Sequence, residues 1–228
     1  MRQPPLRALL LALAVALPVV TGCEHDGGTG ARPAASTAPV PLTTPTSPPG
    51  TVRVVDAGHR YALVLPAGWR VVSDPTSPGA VEVSPTPVAT SATPDPRTSA
   101  QAAYAFDQGA SLVALKPSTG FAPNVTVMLK PAKGLAPADV AKVVPAATSG
   151  LRSLSASGVT TRTTTLSGLP AVQVDYTFTP AGSTAPVRGR QYYAICGETV
   201  VITTVSVASG AGTGAADFIA AHLRLGSG

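Results

Sequence analysis

Ala171-Val172-Gln173-Val174-Asp175-Tyr176-Thr177-Phe178 alternates residue by residue, with Val172, Val174, Tyr176 and Phe178 apolar and Gln173, Asp175 and Thr177 polar. A period of two sends successive side chains to opposite faces of an extended chain, so this segment is a strand that buries one face. Thr160 to Leu166 before it, and Val187 to Cys196 and Thr199 to Val207 after it, read as three further strands joined by Gly/Pro turns. Upstream, Ser111 to Leu115 and Val125 to Leu129 are strands, as are Thr51 to Asp56, Tyr61 to Leu65 and Trp69 to Ser73. Asp56-Ala57-Gly58 and Pro66-Ala67-Gly68 punctuate the last three as turns.

Helical spacing appears twice. Val140, Val143, Val144, Ala147, Leu151 and Leu154 form a core-facing stripe within Pro137 to Ser155. Pro145 lies inside it and would cost about 3 kcal/mol in an unbroken helix, so a kink or two short helices is expected. Thr213 to Leu225 closes the chain as a helix with Phe218, Ile219 and Leu223 on its apolar side. From Asp74 to Arg97 the chain carries Pro75, Pro78, Pro85, Pro87, Pro94 and Pro96, with Val81 and Val83 as a strand-like interlude, and reads as a surface excursion. Grouped strands with one helix between them and one at the end describe an α+β fold: an antiparallel sheet packed by two main helices, residues 51–228 forming one globular domain.

The beginning of the chain has a different character. Arg2 and Arg7 precede Ala8 to Val20, an apolar run interrupted by Pro18. A membrane-spanning helix needs about 20 apolar residues, whereas the apolar part of an export signal is about 7–15 long, so residues 1–22 read as an export signal. The run ends in Val20-Thr21-Gly22-Cys23, which resembles the lipobox of bacterial lipoproteins. That resemblance implies cleavage before Cys23, a thioether-linked diacylglycerol on its sulfur, and further acylation such as palmitate. Two or more chains anchor stably where one holds only marginally. The expected location is extracytoplasmic, on the outer face of the cell membrane.

Glu24 to Gly50 contains Pro33, Pro39, Pro41, Pro45, Pro48 and Pro49 among Thr, Ala and Ser, and shows no hydrophobic period. With Cys23 it reads as a tether over 23–50, reaching about 80 Å at full polyproline extension. Only 12% of the 228 residues are charged and 4% aromatic, which excludes a coiled coil, while 44% hydrophobic residues suffice for a core. The formal charge of +5 falls when the signal takes Arg2 and Arg7 with it, and so small an excess gives no case for nucleic acid. Cys196 is the one other cysteine, so with Cys23 acylated no internal disulfide forms.

The element order, with Tyr61-Ala62-Leu63-Val64-Leu65-Pro66-Ala67-Gly68-Trp69, Leu166-Ser167-Gly168-Leu169-Pro170-Ala171, Arg190-Gln191-Tyr192-Tyr193 and the closing Phe218 and Leu223, resembles the PsbP-like fold. It is closer still to actinobacterial lipoproteins of the LpqN type. These motifs are structural: Pro and Gly set turns, and Trp69 caps a core edge. The resemblance implies an envelope protein that binds or assists something, with no cofactor.

No catalytic motif stands out. His25, His59 and His222 are scattered, without the spacing of a metal site, and no Gly-x-Ser-x-Gly occurs. Gly210, Gly212 and Gly214 lack the Lys-Ser/Thr partner of a phosphate loop and read as a connector. Cys196 reads as a buried filler, and the neighbouring Glu198 disfavours a thiolate. Arg188, Arg190 and Tyr192, two apart, share one strand face and form a basic-aromatic row suited to an anionic headgroup or acidic partner, or else a plain solvated face. Tyr104, Phe106 and Phe121 either pack into the core or line a groove with the excursion. Three functions follow: a non-catalytic accessory module binding an envelope protein; a carrier or sensor of a lipid or other amphiphile, which requires a cavity where helix 137–155 crosses the sheet; and a hydrolase using His59 or His222 as base.

Overall fold

The computed structural model describes residues 41–72, 74, 81–84, 96–119, 121–180 and 183–226. The expected export signal, Cys23, His25, the expected tether up to residue 40 and most of the excursion lie outside them. The strands are β1 Val52–Asp56, β2 Tyr61–Leu65, β3 Arg70–Val72, β4 Glu82–Ser84, β5 Ala110–Leu115, β6 Asn124–Pro131, β7 Ser157–Leu166, β8 Leu169–Phe178, β9 Val187–Cys196, β10 Thr199–Ala208 and β11 Arg224–Leu225. The helices are α1 Pro96–Asp107, α2 Val144–Ser153 and α3 Gly214–His222, with a 3-10 helix at Pro137–Val143.

The class is α+β and every strand pairing is antiparallel, but the strands divide into two sheets rather than one. The large sheet runs β3-β5-β6-β10-β9-β8-β7 and the small one β11-β2-β1-β4. The reason is local: Pro66 to Gly68, with Gly68 at φ +81°, turns the chain so sharply that β3 leaves β2 and pairs with β5. The interlude at Val81 and Val83 becomes β4 on the edge of β1.

Among the described residues a third α-helix joins the two expected. The additional one, α1, opens on Pro96, a residue whose missing N–H costs nothing in a first turn. Its proline reads in sequence as the end of the excursion, although Ala-rich chain follows. At Pro145 the stripe divides as expected, a 3-10 helix before it and α2 from Val144, which places the proline in the first turn of α2. The closing helix ends at His222 and hands over to β11, whose Leu225 N–H donates to Ser167 Oγ at 3.1 Å.

The large sheet has a core on each face. On one, Val140, Val143, Ala147 and Leu151 from the 3-10 helix and α2, with Ala102 and Ala105 from α1, pack on Val172, Val174, Phe178, Tyr193 and Ile195. Tyr104, Phe106 and Phe121 lie against this core, half-buried. On the other, Leu63, Leu65 and Tyr61 of the small sheet, with Trp69, Ile219 and Leu223, pack on Leu112, Val127, Tyr192 and Val205. The architecture is thus α1, α2 and the 3-10 helix on one face of the large sheet, and α3 with the small sheet on the other. Between the sheets the Tyr61 hydroxyl lies 3.2 Å from Ser111 Oγ, which donates to Val127 O.

Residues 41–50 lie on this domain. Leu42 crosses Gly226 so closely that a Cβ on the glycine would stand 2.8 Å from the Leu42 nitrogen. Pro45 is buried, Gly50 reaches Ala67, and Thr51 donates through N–H and Oγ1 to Pro48 O. Since Gly226 N–H bonds Arg60 O, this segment runs from the Arg60 end of β2 to its Ala67 end.

Candidate functional site

The alternating strand β8 and its neighbour β9 carry a polar relay. Arg190 Nε donates to Asp175 Oδ1 at 2.5 Å, directly across the ladder, and its Nη1 donates to Asp217 Oδ1 of α3 at 2.5 Å. Gln173 Nε2 donates to the other Asp175 oxygen, and Gln173 Oε1 accepts from Arg162 of β7 at 2.7 Å. Thr213 Oγ1 donates to Asp217 Oδ2 at 2.8 Å, which closes the chain of bonds at the start of α3. Burial disfavours the Arg190 charge, yet hydrogen bonds to Asp175 and Tyr192 outweigh it and raise the guanidinium pKa above its ordinary value.

This geometry decides what the basic-aromatic row is. Arg188, Arg190 and Tyr192 share a face of β9, as the spacing requires. Arg190, 11% exposed, already faces two carboxylates, which neutralise it. Tyr192 is buried, and its hydroxyl donates to Ala216 O at 3.4 Å. Arg188 is half-buried at a hollow of about 210 Å³ shared with Gly158, Thr177 and Thr213, and among the described residues it has no carboxylate partner. Of the row, Arg190 and Tyr192 bond α3 to the large sheet. Asp175 and Asp217, distant in sequence, are the partners that strand spacing alone does not disclose.

A second feature lies at the end of the sandwich where residue 42 meets Gly226. There the β1–β2 and β9–β10 turns enclose a cavity of about 440 Å³, lined by His59, Arg60, Leu129, Cys196, Glu198, Thr199 and Val201. His59 is held by its turn: its N–H donates to Asp56 Oδ1 at 2.9 Å and its Nδ1 lies 2.8 Å from Oδ2 of that buried carboxylate. Arg60 sits in the left-handed region at φ +58°, a conformation costly for a side chain. Burial pushes the Cys196 thiol up, with the charge of Arg60 offsetting part of the effect, so at neutral pH it is a thiol and not a nucleophilic thiolate. His222 stands elsewhere, stacked on Phe218 at 4.2 Å with Nδ1 2.8 Å from Phe218 O, a helix-end arrangement. Among the described residues no group of His, Cys, Asp and Glu could hold a metal ion.

No protein-family model and no curated protein matches the chain. Solved structures do. The solution structure of cyanobacterial PsbP from Synechocystis is 12% identical, with a TM-score of 0.49 over 78% of this chain and 94% of that one. LpqN of Mycobacterium tuberculosis, described as involved in cell envelope biogenesis, is 15% identical, with a TM-score of 0.44 over 81% of this chain and 90% of that one. A protein of Bacteroides thetaiotaomicron is 11% identical at a TM-score of 0.46 over 76% of this chain, which spans 48% of that protein's length. PsbP and LpqN, which the element order resembles, are both among the structures matched. At these identities the likeness is one of chain path.

Proposed function

We propose that this chain is an exported, lipid-anchored module of the cell envelope that binds another envelope protein and performs no chemistry of its own. The observation that carries the reading is Val20-Thr21-Gly22-Cys23 after a short apolar run, followed by a proline-rich segment and an ordered domain. The geometry adds a position: Leu42 rests on Gly226, at the cavity end of the domain. A binding role suits the polar groups present, since Arg190 is committed to Asp175 and Asp217 and Cys196 is a neutral thiol. An amphiphile carrier draws less support, because Val140, Val143, Ala147 and Leu151 are buried against the sheet where an acyl chain would lie.

The test is crosslinking with mass spectrometry on the protein in its own membranes, with co-extracted lipids analysed alongside. The reading expects a reproducible protein neighbour, acyl chains on Cys23, and loss of both the acyl chains and membrane retention in Cys23→Ala. A stoichiometric amphiphile with no protein neighbour would replace this reading with the carrier.

A further inference from the structure

Sheet edges present unpaired N–H and C=O groups, and proteins normally keep such edges short or guarded. Among the described residues three of the four sheet edges obey that rule: β3 and β4 have three residues each and β11 has two. The fourth does not. β7, Ser157–Leu166, is a ten-residue strand at the end of the large sheet, exposed at seven of its ten positions. It contains Thr160, Thr161, Thr163, Thr164 and Thr165, all β-branched, and no proline. A register shift confines the irregularity to its start, between Ser157 and Thr160, so from Thr160 to Leu166 the ladder with β8 is continuous. Its one charge, Arg162, is exposed and donates to Gln173 Oε1 of β8 at 2.7 Å.

We propose that β7 is a docking edge that takes an extended segment of another envelope protein as an eighth strand, with a carboxylate of that segment opposite Arg162. Backbone hydrogen bonds supply the adhesion and the cross-strand side-chain pair supplies selectivity. A second copy of this chain fits poorly. Arg162 is close to the middle of β7, so a two-fold antiparallel pairing with near-complete overlap sets the two arginines opposite or diagonal to each other, and like charges in such positions repel. A foreign strand bearing Asp or Glu at that position gains the attraction instead. The inference rests on the reading of the protein as a binding module and names the site and chemistry of the partner.

The test uses the full-length protein purified in detergent. The probes are two extended peptides of alternating Thr and Val, identical except for Asp or Lys at the centre, followed by hydrogen exchange of residues 157–166. The Asp peptide is expected to slow exchange along β7, and the Lys peptide to bind about tenfold more weakly. Arg162→Glu, a change at an exposed position, is expected to invert the preference. No protection by either peptide at millimolar concentration would overturn the proposal, as would equal protection by both in both proteins, or a dimer crosslinked through β7. Because these measurements require neither anchoring nor a native neighbour, a failure here is distinct from a failure of the membrane crosslinking.

Discussion

The two faces of the large sheet are closed by different means. The helical face is covered by aliphatic side chains, yet beneath them it buries three polar ones, Asn124, Ser206 and Tyr176, in one row with Gly189 across β6, β10, β9 and β8. Gly189 is required there, since a Cβ would stand 2.2 Å from the Tyr176 ring that lies over it. The face toward the small sheet joins two strand layers, and its polar groups are mostly paired, Tyr61 with Ser111 and Arg190 with Asp175 and Asp217. The difference teaches that the two layers are held by different balances: on one face packing carries buried hydroxyls, and on the other a hydrogen-bonded relay fixes α3.

The largest way to probe both faces at once is alkali. Burial raises the pKa of Tyr61 on one face, and of Tyr176 and Tyr193 on the other, above the ordinary 10.0. A raised folded value stabilises fully below the unfolded pKa and is lost as pH rises, because the unfolded chain releases the proton first. Stability is therefore expected to fall from about pH 10 upward, by about 1 kcal/mol per tyrosine for each pH unit. Urea denaturation at about pH 9 and pH 11 measures the slope, and Tyr176→Phe should reduce it.

Next come the cavities. Leu151→Ala on the helical face and Leu63→Ala on the other, both at 0% exposure, should each cost about 2–5 kcal/mol in the same assay. A much smaller loss at Leu63 would break the symmetry and make the small sheet a satellite. Gly189→Ala should cost about 1–3 kcal/mol by overpacking, and less when Tyr176 is already Ala, the coupling being read from a double-mutant cycle. The smallest effects separate the two ends of the relay. Asp175→Asn should cost about 1.5–3 kcal/mol because Arg190 keeps its burial and loses the less exposed of its two charged partners. Asp217→Asn, at a carboxylate 54% exposed, should stay within about 1 kcal/mol.

Most strands were legible because their signals are local. β2 and β9 match their expected spans, and the chain divides at Pro145 as a proline must divide a helical stripe. α1 was not legible: Pro96 ends a proline-rich stretch and begins a helix, and one residue type serves both. Of the basic row, strand spacing places Arg188, Arg190 and Tyr192 on one face, but whether that face is open depends on what packs against it.

The sequence by itself determined the alternation of β8 and the divided helix, because these are properties of neighbouring residues. Only the tertiary structure decided that the strands form two sheets, that Asp175 and Asp217 converge on Arg190, that Leu42 rests on Gly226, and that among the described residues β7 is the long edge. Each of these joins residues far apart in the chain, and backbone periodicity carries no information about which distant carboxylate, glycine or strand edge will arrive.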